Sequence, residues 1–128
     1  SLETHAQEWN EIFKGIQGAV DIVAFQDGHV AYEQLRSYLE VNKKLADQYG
    51  LVSWTNTESF DRDMPIKFLP IKFDKLQYKL AQAAAVGMEK AITFEFSHFM
   101  SPQSAYKQAG HLYQRYTDYY LNSNTQNP

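Results

Sequence analysis

The segment from Leu51 to Asp61 begins as an apolar strand and ends in polar side chains. Side chains alternate between the two faces of a β-strand, so Trp54, Asn56 and Glu58 are predicted to share one face. An indole, an amide and a carboxylate at the carboxyl end of a strand would form a sugar-binding wall. Alternatively, Trp54 belongs to the core and Glu58 caps the next loop. We favour the functional role, because carboxylates are seldom buried without a partner or a purpose.

Two further carboxylates are candidates for the same chemistry: Asp27 follows the first predicted strand, and Glu95 lies within the third. Glycoside hydrolysis needs two carboxyl groups about 5–5.5 Å apart for retention, or about 6.5–9.5 Å apart for inversion. Glu58 is predicted to be the nucleophile or base, and Asp27 a second carboxylate or a ligand for a sugar hydroxyl. Glu95 lies earlier along its strand and is predicted to orient Glu58 or a neighbour. Two alternatives stay open, a turn role for Asp27 and a buried structural ion pair for Glu95.

Other polar side chains near the predicted strand ends would form hydrogen bonds with sugar hydroxyls, namely Gln26, His29, Asn56 and His98. Acid and histidine ligands of this kind suit Zn or Mn, but no His-x-His or His-Glu-x-x-His spacing is present, so we predict no metal site. We predict no cofactor either, because the sequence lacks a Gly-x-Gly-x-x-Gly motif and a phosphate-binding glycine loop with lysine.

The elements that must position these residues alternate along the chain. Apolar periodicity predicts the order α-β-α-β-α-β-α, which implies right-handed βαβ units and a parallel sheet. The predicted helices span about Glu3 to Gln17, Ala31 to Tyr49, Pro70 or Asp74 to Gly87, and Gln103 to Leu121. The predicted strands span Ala19 to Phe25, Leu51 to Glu58, and Ala91 to Ser97, with an irregular link from Ser59 to about Pro70. Residues 1–121 are expected to form a single α/β unit, followed by a frayed tail, 122–128.

Polarity on the third predicted strand favours a barrel. Thr93, Glu95 and Ser97 would share one face, and a mid-strand Glu95 would be costly to bury under the helices of an open sandwich. In a (βα)8 barrel, the carboxyl ends of the strands instead form the active site. Such a barrel has about 250 residues, so we interpret the chain as the C-terminal portion of a TIM barrel that lacks the first strands.

Composition excludes several classes of protein. The chain has 128 residues, a net charge of −3 and no Cys. It has no basic stripe, which argues against a nucleic-acid partner, and the absence of Cys excludes disulfides and thiolate chemistry. No apolar run approaches the ~20 residues of a membrane helix, so no membrane span is expected. The chain opens with Ser rather than Met, as expected of a processed or excised piece.

Three segments resemble a TIM-barrel family of unknown function, whose members are described as candidate glycoside hydrolases and are common in carbohydrate-degrading gut bacteria. The segments are Ala24-Phe-Gln-Asp-Gly28, Ser53-Trp-Thr-Asn-Thr-Glu-Ser-Phe60 and Ile92-Thr-Phe-Glu-Phe-Ser-His-Phe-Met-Ser-Pro102. The resemblance implies that the three strands are the last of eight. It places Glu58 at the end of the seventh strand, where the large retaining glycosidase clan has its nucleophile. The acid/base carboxylate of that clan lies in the missing amino-terminal half.

The resemblance also implies a carbohydrate ligand and a periplasmic, cell-surface or secreted location. The expected protein partner is the missing half, as a complementary chain, or a second copy that pairs strand edges. Three hypotheses follow: a glycoside hydrolase-like barrel fragment, a non-catalytic carbohydrate- or ligand-binding barrel, and a stand-alone small α/β interaction domain. A second carboxylate at hydrolytic distance from Glu58 separates the first two, whereas a Glu58 held in an ion pair favours binding.

Overall fold

The computed structural model describes residues 1–62, 65 and 68–126, and their side chains as far as residue 123. Helices and strands alternate along most of the chain, as the apolar periodicity predicts. The helices are α1 (Leu2–Ile16), α2 (Leu35–Gln48), α3 (Phe73–Ala85), α4 (Phe96–Phe99) and α5 (Lys107–Gln126), with a short 3-10 helix at Tyr32–Gln34. The strands are β1 (Ile22–Gln26), β2 (Val52–Glu58), β3 (Phe60–Asp61), β4 (Leu69–Pro70) and β5 (Ala91–Phe94).

Three of the strands form one parallel sheet in the order β1-β2-β5, which confirms the predicted mixed α/β class. The pairing of β1 with β2 runs from Ile22 opposite Val52 to Gln26 opposite Asn56. The 25 residues between these strands hold the helix that a parallel crossover requires. The connection therefore places the carboxyl ends of β1 and β2 at the same edge of the sheet.

The chain divides into two compact units, one made of Ser1–Thr57 and Tyr78–Ile92, and the other of Glu58–Gln77 and Thr93–Pro128. The first unit contains an apolar core between helices and strands, formed by Phe13, Phe25, Leu35, Leu39, Ala46, Leu51, Ala83 and Met88. Trp9 and Ile16 of α1 pack against this core. Ile12 is exposed, because it lies at the edge of the helix face that Trp9, Phe13 and Ile16 present.

Helix α2 ends where the sequence predicts a stop. Gly50 adopts φ = 71°, a backbone conformation that favours glycine, and the Leu51 N–H donates to the Ala46 carbonyl. The turn directs the chain from the end of α2 into β2. Gly50 thereby sets the start of the strand that carries Trp54, Asn56 and Glu58.

In the second unit, the predicted irregular link contains a short antiparallel pair, β3 and β4, with Phe60 opposite Pro70 and Asp61 opposite Leu69. Backbone hydrogen bonds explain the difference, since the Ile71 N–H donates to the Ser59 carbonyl at 2.9 Å beside this pair. Positions 63, 64, 66 and 67 of the link lie outside the described residues.

The third long strand is shorter than predicted. β5 ends at Phe94, and Glu95 is the N-cap of α4 rather than a mid-strand residue. The prediction of a strand to Ser97 was wrong because the Glu95 carboxylate accepts from the backbone N–H groups of Ser97 and His98, which starts a helix instead. The last helix begins later than the predicted Gln103 and ends later than the predicted Leu121, since α5 starts at Lys107 and continues to Gln126.

Candidate functional site

Glu58 is the last residue of β2 and belongs to the second unit. Only 1% of its side chain is exposed. Its two carboxylate oxygens accept hydrogen bonds from Arg62, one from Nε at 2.9 Å and one from Nη2 at 2.8 Å. A bidentate guanidinium fixes both the position and the plane of a carboxylate. Glu58 is therefore a buried, oriented acid held beside a positive charge.

Two aromatic rings hold the Arg62 side chain in place. Its guanidinium carbon lies 5.2 Å from the centre of the Phe60 ring and 5.5 Å from that of Phe68. Both distances are within the range of cation–π attraction. Phe68 has φ = 63°, a conformation that few residues other than glycine adopt, so β4 begins directly after a constrained turn. Arg62 is thus braced by rings from both sides of the β3–β4 link.

A second buried carboxylate, Asp61, lies on β3 and pairs with Lys75 of α3. Both belong to the second unit, and the Asp61 side chain is as buried as that of Glu58. Sequence analysis missed Asp61, Arg62 and Lys75 as members of the site. The available signal was local: Glu58 and Arg62 are four residues apart, and Asp61 lies between them. The result is two buried acids within four residues, each with its own cation.

The third candidate acid, Glu95, also lies in the second unit and contacts the residues that follow it in α4. Besides the two backbone donors of α4, it contacts the imidazole of His98, with Nδ1 2.7 Å from Oε1. Desolvation opposes ionisation of Glu95, but the His98 N–H, the imidazole and the Ser97 N–H outweigh it and lower the pKa of the carboxyl. The structure therefore brings together Glu95 and His98, both predicted site residues.

In the first unit, Asp27 follows β1 and is buried beside Lys79 of α3. The Lys79 Nζ lies 3.2 Å from Asp27 Oδ2 and forms an ion pair with it. Lys79 also lies 5.5 Å from the centre of the Tyr32 ring. The Val30 N–H donates to the Asp27 carbonyl, which closes the turn expected before Gly28. Asp27 thus combines the turn position with a buried charged side chain.

The remaining predicted residues of the first unit line the ends of two strands. Gln26 is exposed at the end of β1 and lies opposite the half-buried Asn56 of β2. Trp54 is half-buried, and the Lys90 ammonium lies 5.2 Å from the centre of its ring. His29 is exposed in the turn after β1. The structure therefore places the two amides side by side, with the indole two residues before Asn56.

The residues that the structure describes include no group of three or more acidic, histidine or cysteine side chains arranged to hold a metal ion. In the same part of the chain, none of the helices combines the length and the apolar character needed to cross a membrane.

The family model of a domain of unknown function, DUF4434, matches residues 1–106, so the chain belongs to that family. Among solved structures, it is similar to the crystal structure of a "putative alpha-L-fucosidase from Bacteroides thetaiotaomicron VPI-5482". The two are 66% identical with a TM-score of 0.91, over 94% of this chain and 38% of that one. The chain therefore spans well under half the length of this relative. No curated protein matches it.

Proposed function

We propose that this member of the DUF4434 family is part of a glycoside hydrolase-like protein that acts on a glycan, with Glu58 as its central acid. The observation that carries the proposal is a fully buried carboxylate at the carboxyl end of the middle strand of a parallel sheet. Functional groups of parallel α/β folds occur at this end of the strands. The 66% identity to a protein described as a putative α-L-fucosidase supports the same class of activity.

In this proposal, residues 1–121 contribute the last three βα units of a TIM barrel. Among the described residues, no strand lies beyond the outer edge of β1 or of β5 in the order β1-β2-β5. Ile22, Val52 and Ile92 of the first unit are exposed, although apolar residues of parallel strands are usually covered. The remainder of a longer protein, or a second copy of the chain, would pair with these edges and cover these side chains.

Glu58 would act as nucleophile or base at the anomeric carbon. Arg62 contacts both of its oxygens and thereby fixes the orientation of the carboxylate. An ionised, rigid carboxylate is the form that either role requires. The acid that protonates the leaving oxygen would come from the remainder of the protein, at one of the two separations set by retaining and inverting chemistry.

The other predicted residues would bind the sugar. Trp54 offers a flat apolar surface of the kind that packs against sugar C–H groups. The neighbouring amides of Gln26 and Asn56 can each donate and accept hydrogen bonds with hydroxyls. Asp27 and His29 follow at the end of β1. In this scheme Asp27 contacts a sugar hydroxyl.

A second candidate function is glycan binding without cleavage. It is favoured by the pairing of Glu58 with Arg62 and of Asp27 with Lys79, because buried acids held by buried or half-buried cations are also common structural devices. A binding protein needs the amides and the indole, but not an acid that is free to react. The two functions therefore make opposite predictions about turnover.

Cleavage of 4-nitrophenyl α-L-fucoside by the intact protein tests the proposal. We expect the wild type to release nitrophenol and Glu58→Gln to lose at least about 10²-fold in kcat. Glu40→Gln, at an exposed position of α2, is the matched control and should retain activity. Binding of L-fucose by calorimetry without any turnover would establish the second function. If the protein neither binds L-fucose nor cleaves the fucoside, a fucoside is ruled out as the ligand.

A further inference from the structure

The Glu95 carboxylate forms its hydrogen bonds with residues two and three positions further along the chain. Oε2 accepts from the Ser97 N–H at 2.9 Å, and Oε1 accepts from the His98 N–H at 2.8 Å and contacts its imidazole at 2.7 Å. Only about a quarter of the side chain is exposed. A carboxylate engaged in this way is poorly placed to exchange a proton with a bound ligand, so Glu95 needs a role other than acid or base.

The His98 side chain, unlike that of Glu95, is largely exposed. Its exposed fraction is 74%, and its Nδ1 faces Glu95. An ionised carboxylate can only accept hydrogen bonds, so Nδ1 carries the proton in this contact. In the neutral ring, the lone pair is then on Nε2, and Nε2 has no hydrogen-bond partner among the residues that the structure describes. The exposed nitrogen of His98 is therefore an oriented acceptor.

Ser59, the residue after Glu58, holds the backbone around the Glu95–His98 pair in place. The Ser59 N–H donates to the Phe94 carbonyl at 2.8 Å, and Ser59 Oγ donates to the Glu95 carbonyl at 3.0 Å. On the other side, Ser104 Oγ donates to the His98 carbonyl. All of these residues belong to the second unit. The backbone of the Glu95–His98 pair is thus fixed directly beside the end of β2.

We propose that Glu95 is a positioning residue, and that His98 is the group that contacts the ligand. Glu95 holds the imidazole with Nδ1–H donated to its carboxylate, so that Nε2 accepts a hydrogen bond from a sugar hydroxyl. This inference rests on the proposed function for the identity of the ligand, but not for the orientation of the ring. It makes the sequence-based expectation, in which Glu95 orients Glu58 or a neighbour, specific to one neighbour, the His98 imidazole.

Two substitutions separate positioning of the imidazole from capping of α4. Glu95→Ser retains an N-cap oxygen for the His98 N–H but is too short to reach the ring. Glu95→Gln retains an acceptor of the same length. Nitrogen-15 NMR of histidine-labelled intact protein reports which ring nitrogen is protonated, and His98→Gln assigns the signal. We expect the Nδ1–H form in the wild type and in Glu95→Gln, and its loss in Glu95→Ser.

The same variants test contact with the ligand. In the 4-nitrophenyl α-L-fucoside assay, His98→Gln and Glu95→Ser should raise KM about tenfold, the effect of one lost hydrogen bond, and Glu95→Gln should raise it less. A ring that keeps the Nδ1–H form in Glu95→Ser overturns the positioning role. An unchanged KM in His98→Gln overturns the ligand contact. If the wild type neither binds nor cleaves fucosides, the proposed function fails, while the NMR result still decides the orientation.

Discussion

The pairing of Glu58 with Arg62 should be among the most costly contacts to break in the second unit. Arg62→Ala leaves a carboxylate that is 1% exposed without its bidentate partner. Removing one member of a buried ion pair costs about 3–5 kcal/mol. Because 31% of the Arg62 side chain is exposed and water can reach the site, we expect the lower end, about 3 kcal/mol, in the free energy of unfolding. Urea denaturation of the intact protein measures this change.

Arg115 provides a matched control in the same unit. It also pairs with a carboxylate, Asp74, and also lies over a ring, that of Phe73 at 5.1 Å, but the two partners are 58% and 80% exposed. Arg115→Ala should therefore cost no more than about 1 kcal/mol. Adding Glu58→Gln to Arg62→Ala removes the buried negative charge that has lost its guanidinium partner. The double variant should recover about 2 kcal/mol in the free energy of unfolding. Equal effects of the two arginine substitutions, or no recovery in the double variant, would refute the reasoning from burial.

Two further predictions concern the other candidate acids. Lys79→Met should lower the free energy of unfolding by about 3 kcal/mol in urea denaturation, because Asp27 and Lys79 are both buried. Adding Asp27→Asn to this variant should restore part of the loss. Breaking the Lys43–Asp47 pair, whose aspartate is 57% exposed, should have little effect. The lowered pKa of Glu95 means that its charged form stabilises the fold at pH values above the unfolded pKa of about 4.3. This contribution is lost as the pH falls through the lower pKa of the folded state. The stability advantage of the wild type over Glu95→Gln should therefore be full at pH 7 and shrink below about pH 4, and a pH-independent difference would contradict the assignment.

The parallel arrangement was predictable because it depends on local patterns. The apolar run around Val23 and Phe25, the glycine stop at Gly50 and the run from Leu51 each mark an element without knowledge of the rest of the fold. Strands separated by helices then leave few topologies other than parallel pairing. The observed sheet confirms this part of the interpretation.

The third strand shows why local patterns also mislead. The alternation from Ile92 to Ser97 is typical of a strand, yet the chain turns into a helix after Phe94. Glutamate is not among the preferred N-cap residues, so nothing in the sequence marks Glu95 as a helix start. Its capping role depends on contacts three residues ahead, which compete with the strand only in the folded chain.

The positions of the candidate acids along the chain could be predicted, but not the cations that lie beside them. Sequence analysis singled out Glu58 and Asp27 from their places at strand ends, and both are buried there. It did not pair them with Arg62 and Lys79, because the choice of a cation depends on side-chain packing. Lys79 is 52 residues from Asp27, a separation that no periodicity encodes. Polar residues could thus be located along the chain before their partners could be named.

The face of β1 and β2 that carries Gln26 and Asn56 changes character along its length. Ile22 lies opposite Val52 at one end, Ala24 opposite Trp54 in the middle, and the two amides opposite each other at the carboxyl end. Substitution of exposed polar residues usually alters stability by less than about 0.5 kcal/mol. Exposed Gln26 at the amide end can therefore change at little cost to folding, whereas the aliphatic end accepts polar side chains less freely if it is covered. Under the proposed function, evolutionary changes in ligand preference should accordingly be concentrated in a few residues at one end of the sheet.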